Sequence, residues 1–142
     1  MTRRVMGIDY GRRRIGTAIA DLEIRIALPL KTVAGRDDAA RDARSVADLA
    51  DTEDVGRFVV GLPLNMDGSD SDQTRLTRRF ADELARLSGK PVELQDERLS
   101  SYAASELLDA AGVRKRRRKG LIDQIAAQQI LAAWLDRGPP EE

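Results

Sequence analysis

Two apolar runs near the start of the chain flank a short polar turn, and this arrangement constrains the fold most. The runs cover residues 5–8 and 15–20 within VMGIDYGRRRIGTAIAD. Short apolar segments joined by glycine and charged residues are typical of a β-hairpin with an exposed turn. Asp9 stands where the first predicted strand ends, so we expect a carboxylate at the edge of a sheet.

The rest of the chain predicts further strands interleaved with helices. A third strand lies within residues 24–33, where Pro29 indicates an edge or an end of the sheet. Short apolar runs predict strands, and apolar residues at helical spacing predict helices. The later strands are expected at 58–62 and 91–95, and the helices at 37–51, 73–87, from Ser100 or Ser101 to Gly112, and 121–136. This order predicts an α/β fold, with one mixed five-stranded sheet, antiparallel at the front, and helices packed on it.

Composition limits the chemistry open to such a fold. With 142 residues, the chain suits a single domain, expected over 1–137 with a short tail at 138–142. It contains no cysteine and no histidine, which excludes disulfides, thiolate nucleophiles, imidazole bases and the usual zinc ligands. Carboxylates, lysine, arginine, hydroxyl groups and a hard metal ion remain. No apolar run reaches the length of a membrane span, so a cytoplasmic location is expected.

Three acids are candidates for a common site. Asp9 and Glu97 each follow a short strand, and the carboxyl ends of neighbouring strands are where α/β sheets place ligand-binding groups. Asp123 shares a helix face with apolar residues that should pack on the sheet. Three converging carboxylates would repel one another unless Mg²⁺ or Mn²⁺ lay between them. Two such ions can hydrolyse a phosphodiester without histidine.

Each acid also has a structural explanation when taken alone. Asp9 could simply form a turn. Glu97 could pair with Arg98 or another surface base. Asp123 could be an acid in the first turn of its helix, stabilised by the helix dipole.

Basic residues cluster in two places although the formal net charge is zero. Phosphate contact by either cluster would give the protein a basic groove. For the longer cluster, residues 114–119, the alternative is a mobile, solvated loop between two helices. Asn65, in the polar segment GLPLNMDGS, could contact phosphate or base edges or belong to an ordinary connection. The candidate cations are Arg12, Arg13 and Arg14 beside Asp9, and Arg114, Lys115, Arg116, Arg117, Arg118 and Lys119 in RKRRRK.

Four motifs in order resemble the YqgF (RuvX) family of Holliday-junction-resolvase-like proteins, which is linked to processing of the 5′ end of pre-16S rRNA. They are GIDYGRRRIGTA at 7–18, VVGLPLNMDGSDSDQT at 59–74, DERLSS at 96–101 and IDQIAAQQIL at 122–131. The resemblance implies a ribonuclease H-like fold with helices on both faces of the sheet. It also implies a two-metal nuclease site of Asp9, Glu97 and Asp123, with Asn65, Arg98 and the basic run on the substrate side.

Three functions remain open at this stage. The first is a Mg²⁺- or Mn²⁺-dependent endonuclease acting on precursor rRNA or on branched DNA, as a monomer or a homodimer. The second is a non-catalytic RNA-binding module for ribosome assembly. The third is an ATP-binding domain of the actin, Hsp70 and sugar-kinase class, whose phosphate-binding hairpin is similar to GIDYGRRRIGTA, although that class implies two such domains.

Overall fold

The computed structural model of the chain describes residues 3–98 and 115–138, and within the second range it describes the side chains from 121 onward. One five-stranded sheet has the strand order β3-β2-β1-β4-β5. Strand β1 pairs antiparallel with β2 and parallel with β4, while β3 and β5 are the edges. The strands are β1 (Arg4–Tyr10), β2 (Arg14–Asp21), β3 (Leu28–Ala34), β4 (Val55–Leu62) and β5 (Val92–Asp96). The predicted hairpin, the mixed sheet and the edge position of the strand with Pro29 are confirmed.

The described helices are α1 (Ala39–Thr52), α2 (Asp72–Ser88) and α3 (Lys115–Arg137). Local sequence signals start and end them. The side chain of Asp38 caps α1, Ser71 and Thr74 form a capping box at α2, and Gly89 ends α2 in the left-handed conformation. Within the described part of the chain, no helix is long and apolar enough to cross a bilayer.

Alternate residues of β1 face opposite layers of helices. Met6 and Ile8 belong to a core shared with α1 and α2, whereas Val5 packs with Ala127 and Trp134 of α3. This alternation follows from the two-residue period of a strand. The two cores confirm that helices pack on both faces of the sheet. The helix expected from Ser100 or Ser101 to Gly112 lies outside the described residues.

Contrary to the prediction from the sequence, residues 115–120 of the basic run do not form a loop before the last helix. Residues 115–120 belong to helix α3, whose described part starts at Lys115, while Arg114 lies outside the described residues. Lysine and arginine have helix propensities close to that of leucine, so a run of them does not end a helix. Asp123 therefore lies about two turns inside α3, and the idea that it is a first-turn acid stabilised by the helix dipole is wrong.

Candidate active site

Asp9 lies within electrostatic reach of the two other predicted acids, Glu97 and Asp123, near the carboxyl ends of β1 and β5. Asp9 is the last residue but one of β1, and Glu97 follows β5 directly; only β4 lies between these two strands. Asp123 comes from α3, which packs across β1 and β2. Its backbone passes over Gly16, the residue paired with Asp9 across the hairpin. The fold thus brings together acids that are far apart in sequence.

Two glycines make this approach possible. A Cβ atom on Gly16 would lie 1.9 Å from the backbone oxygen of Asp123, and one on Gly61 would lie 2.4 Å from Oε2 of Glu97. Both distances are far below van der Waals contact, so any other residue would displace α3 or the Glu97 side chain. Neither glycine was predicted from the sequence as part of the site. Glycine inside a strand is the signal that could have found them, because it often marks a close approach.

Electrostatic coupling centres on Asp9. Burial, and then the charge of Asp123, raise the pKa of Asp9 from its ordinary value of 3.8 to about 6. Burial, followed by the charges of Asp9 and Asp96, raises the pKa of Glu97 from 4.5 to about 7. The charge of Asp9 therefore interacts with the charges of both other acids. A cation at this position would relieve the repulsion.

Arg14 neutralises the third acid directly. Its Nε donates a hydrogen bond to Oδ2 of Asp123 at 2.9 Å, and the arginine side chain is 47% exposed while the aspartate is only 17% exposed. Burial raises the pKa of Asp123, whereas Arg14 acts to lower it. Among the residues whose side chains are described, no three carboxylates lie close enough to enclose a metal ion as they stand. The ligand set of three acids stays a prediction.

The other residues predicted to bind nucleic acid lie in loops and in the basic run, and their role stays a prediction. Arg12 and Arg13 are exposed in the β1–β2 turn, and Arg12 lies 3.8 Å from Asp37. Asn65 bonds within its own loop, its Nδ2 donating to Ser69 at 3.0 Å. The side chains of Arg114, Lys115, Arg116, Arg117, Arg118 and Lys119 lie outside the described part of the chain.

Arg98 connects the loop that contains Asn65 to the end of β5. Its guanidinium bonds to Asp96 and reaches the backbone oxygen of Met66 at 3.2 Å. The carboxylate that Arg98 binds is therefore Asp96, which argues against the explanation that Glu97 serves to pair with it.

A buried network supports the end of β1 from the other face of the sheet. The hydroxyl of Tyr10 donates to Oδ2 of Asp42 at 2.9 Å, and the Arg36 backbone N–H donates to Oδ1 at 2.8 Å. The Tyr10 ring stacks on Phe80 at 4.2 Å, and Gln73 donates to the Tyr10 carbonyl. This network was not predicted from the sequence, since nothing in the sequence distinguishes Asp42 from the other acids of helix surfaces.

Comparison with known proteins identifies the family. The family model described as RuvX, Holliday junction resolvase, matches residues 3–137. The chain belongs to the RuvX family. A RuvX relative from Anaeromyxobacter dehalogenans, named "Putative pre-16S rRNA nuclease", is 48% identical over 96% of this chain and 99% of its own length. One of the same name from Myxococcus xanthus is 44% identical over 98% of this chain and 91% of its own length.

A solved structure gives the fold an independent comparison. Thermus thermophilus RuvC, solved in complex with a Holliday junction substrate, superposes with a TM-score of 0.57 at 15% identity. The match covers 95% of this chain and 96% of RuvC. The likeness concerns the fold alone, and it supports the expected ribonuclease H-like architecture.

Proposed function

We propose that this RuvX protein is a metal-dependent endonuclease that hydrolyses phosphodiester bonds in structured nucleic acid. The observation that carries the proposal is the position of Asp9, which is largely buried between the charges of Glu97 and Asp123. A fold tolerates such repulsion when the acids serve a ligand of opposite charge.

The residues present fit a hard divalent cation. The donors are carboxylate oxygens, the ligands that Mg²⁺ and Mn²⁺ prefer, and the glycines at 16 and 61 leave room for the acids to approach. When bound, the ions would supply an activated water and neutralise charge at the scissile phosphate. Asp9 and Glu97 would hold the cation from rigid positions at the ends of strands.

The bond to Arg14 gives Asp123 an alternative to binding a metal ion. While Arg14 is bonded to Asp123, that carboxylate is neutralised by the protein itself. A metal ion at Asp123 would compete with Arg14 for that carboxylate, and a guanidinium displaced from it would be free to bind a substrate phosphate. In this exchange one arginine connects cation binding to substrate binding.

For the substrate, we propose the 5′ region of precursor 16S rRNA, with the protein acting in the cytoplasm. The relatives' names support this assignment, and branched DNA is the second candidate because the family is described as Holliday junction resolvase. The two substrates make different demands on assembly. One chain suffices for a single cut near an RNA end, whereas symmetric cuts in a four-way junction require a homodimer.

Cleavage assays with matched variants test the proposal. The wild-type protein should cut an RNA that spans the 5′ end of 16S rRNA, or a four-way DNA junction, with Mg²⁺ or Mn²⁺ but not with EDTA. Asp9→Asn should abolish cutting, whereas Asp136→Asn, the same change at an exposed position near the end of α3, should not.

Two results would count against it. Cleavage by Asp9→Asn at the wild-type rate would show that the acids take no part in the cleavage reaction. Tight RNA binding by a wild-type protein that cuts neither substrate with either ion would favour the non-catalytic ribosome-assembly module instead.

A further inference from the structure

A second concentration of positive charge lies away from the acids, in an open groove between α1 and α2. The groove has a volume of about 530 Å³ and lies over the helix layer on the face of the sheet opposite α3. Four arginines line it together with Ser45 and Leu87: Arg36, Arg41, Arg44 and Arg86. All four are exposed at the surface.

The charge of this arginine groove is only partly compensated. Arg86 bonds to Glu83 at 2.6 Å, and Arg41 lies 3.9 Å from Asp38. Among the described residues, no carboxylate pairs with the side chain of Arg36 or Arg44. In a chain whose net charge is zero, such a local excess attracts a polyanion.

Backbone contacts join the arginine groove to the candidate active site. The N–H of Gly35 donates to the carbonyl of Arg13 at 2.8 Å, and the N–H of Asp37 donates to that of Arg12 at 3.2 Å. Arg36, which lies between these two donors, is therefore held against the β1–β2 turn. Its own N–H is fixed by the buried carboxylate of Asp42.

A row of arginine residues therefore extends along the surface from the acids to the groove. Arg14 contacts Asp123, Arg12 and Arg13 occupy the adjoining turn, and Arg36 opens the groove. Asp37 and Asp38 border this path, and they lie near Arg12 and Arg41 respectively.

We propose that the arginine groove binds backbone phosphates of a nucleic-acid segment that extends from the candidate active site around the β1–β2 turn. The proposal rests on the proposed function, since it takes the acids as the place where the same strand is cut. Arginine suits this role because its guanidinium binds phosphate in a bidentate manner. Phosphate contacts carry no sequence information, so the groove would select substrates by length and path.

A double variant removes charge from both walls of the groove. Arg44→Gln with Arg86→Gln changes one exposed residue on each helix and keeps good helix formers. The matched control is Arg3→Gln with Arg137→Gln, which removes two exposed arginines near the opposite end of the sheet, where they pair with Glu23 and Glu93. Both double variants should unfold within a few degrees of the wild type.

Binding is measured in EDTA by fluorescence anisotropy, so that no cutting occurs. The probes are an RNA hairpin and a DNA duplex long enough to reach the groove, about 40 nucleotides, and a single strand of about 8 nucleotides that covers only the acids. The groove variant should bind the long probes on the order of tenfold more weakly at physiological salt, with a salt dependence shallower by about one to two ion equivalents. Binding of the short probe and of the control variant should be unchanged.

The long RNA and the long DNA separate the two possible sources of phosphate, and loss on either one supports the groove. Equal loss with the control variant, equal loss on the short probe, or no loss at all would overturn the proposal. The result is independent of cleavage. A protein that binds long probes through the groove but never cuts them refutes the proposed nuclease activity alone, whereas cleavage with no groove effect refutes the groove alone.

Discussion

Asp9 and Asp42 are both largely buried carboxylates near the end of β1, but they lie on opposite faces of the sheet and their surroundings differ. Asp42 is fully buried and accepts hydrogen bonds from the Tyr10 hydroxyl and the Arg36 N–H. No described residue donates a hydrogen bond to the carboxylate of Asp9, whose neighbours include the acids Glu97 and Asp123. A buried acid that is supplied with donors stabilises the fold, whereas one placed among other acids weakens it until a ligand arrives.

The sharpest test of this difference is Asp9→Asn, which should lower activity and raise stability together. Cleavage should fall on the order of 10²- to 10³-fold or more, because a central ligand of the cation is lost. Without metal at pH 7.5, the free energy of unfolding should rise by about 2 kcal/mol, because a buried charge and its repulsion are removed. Urea unfolding in EDTA measures the second effect. A fall in stability would place Asp9 in the same structural class as Asp42.

Asp42→Ala should do the reverse and destabilise the fold. It leaves the Tyr10 hydroxyl and the Arg36 N–H without their acceptor, at a cost of about 3 kcal/mol for two buried donors and the lost packing. Tyr10→Phe removes only one donor and should cost about 1 kcal/mol. Both values come from urea unfolding. Equal effects of the two variants would show that Asp42 contributes little beyond its bond to Tyr10.

The pH dependence of stability tests the surroundings of Asp9 and Glu97 directly. In the folded protein the pKa values of Asp9 and Glu97 are raised to about 6 and about 7, so between pH 4 and pH 7 the folded state binds more protons than the unfolded one. Stability should therefore fall as pH rises through this window, by about 2 kcal/mol in EDTA. Asp9→Asn should flatten the curve. Stability that rises over the same interval would contradict the raised pKa values of Asp9 and Glu97, which burial and the neighbouring charges cause together.

The smallest effect should come from Arg14→Gln. The pair with Asp123 is partly exposed, so its loss should cost less than about 1 kcal/mol of folding stability. Because the proposed function makes Asp123 a metal ligand, a cation would compete with Arg14 for it, and Mn²⁺ should bind a few-fold more tightly to the variant, as calorimetry can measure. Weaker Mn²⁺ binding would mean that Arg14 holds Asp123 in place for the metal.

Much of the fold follows from local patterns. The apolar runs around Asp9, the helical spacing in 73–87 and the stop at Gly89 each act over a few residues, so the sequence indicates them directly. The start of α3 could not be found this way, because arginine and lysine are compatible with both a helix and an exposed loop. The structure decides between the two, because residues 115–120 are helical.

The candidate site divides in the same way. Asp9 and Glu97 lie at the same end of the sheet because each comes at the carboxyl end of a strand. The two strands, β1 and β5, lie on either side of β4 and run in the same direction. That Arg14 bonds to Asp123 does not follow from such positions, because the two residues are 109 positions apart and meet only when α3 crosses the hairpin. The same holds for Tyr10 and Asp42, where a helix packs on the opposite face of the sheet.

The amino-acid sequence by itself determined the kinds of chemistry available, since a chain without histidine or cysteine offers carboxylates, cations and hydroxyl groups. It also determined where most of the described strands and helices form, because those preferences depend on near neighbours. Tertiary structure alone decided which acids are buried beside one another and which are supplied with donors. Charge interactions and desolvation depend on distances through space, and packing sets those distances between segments that are remote in the chain.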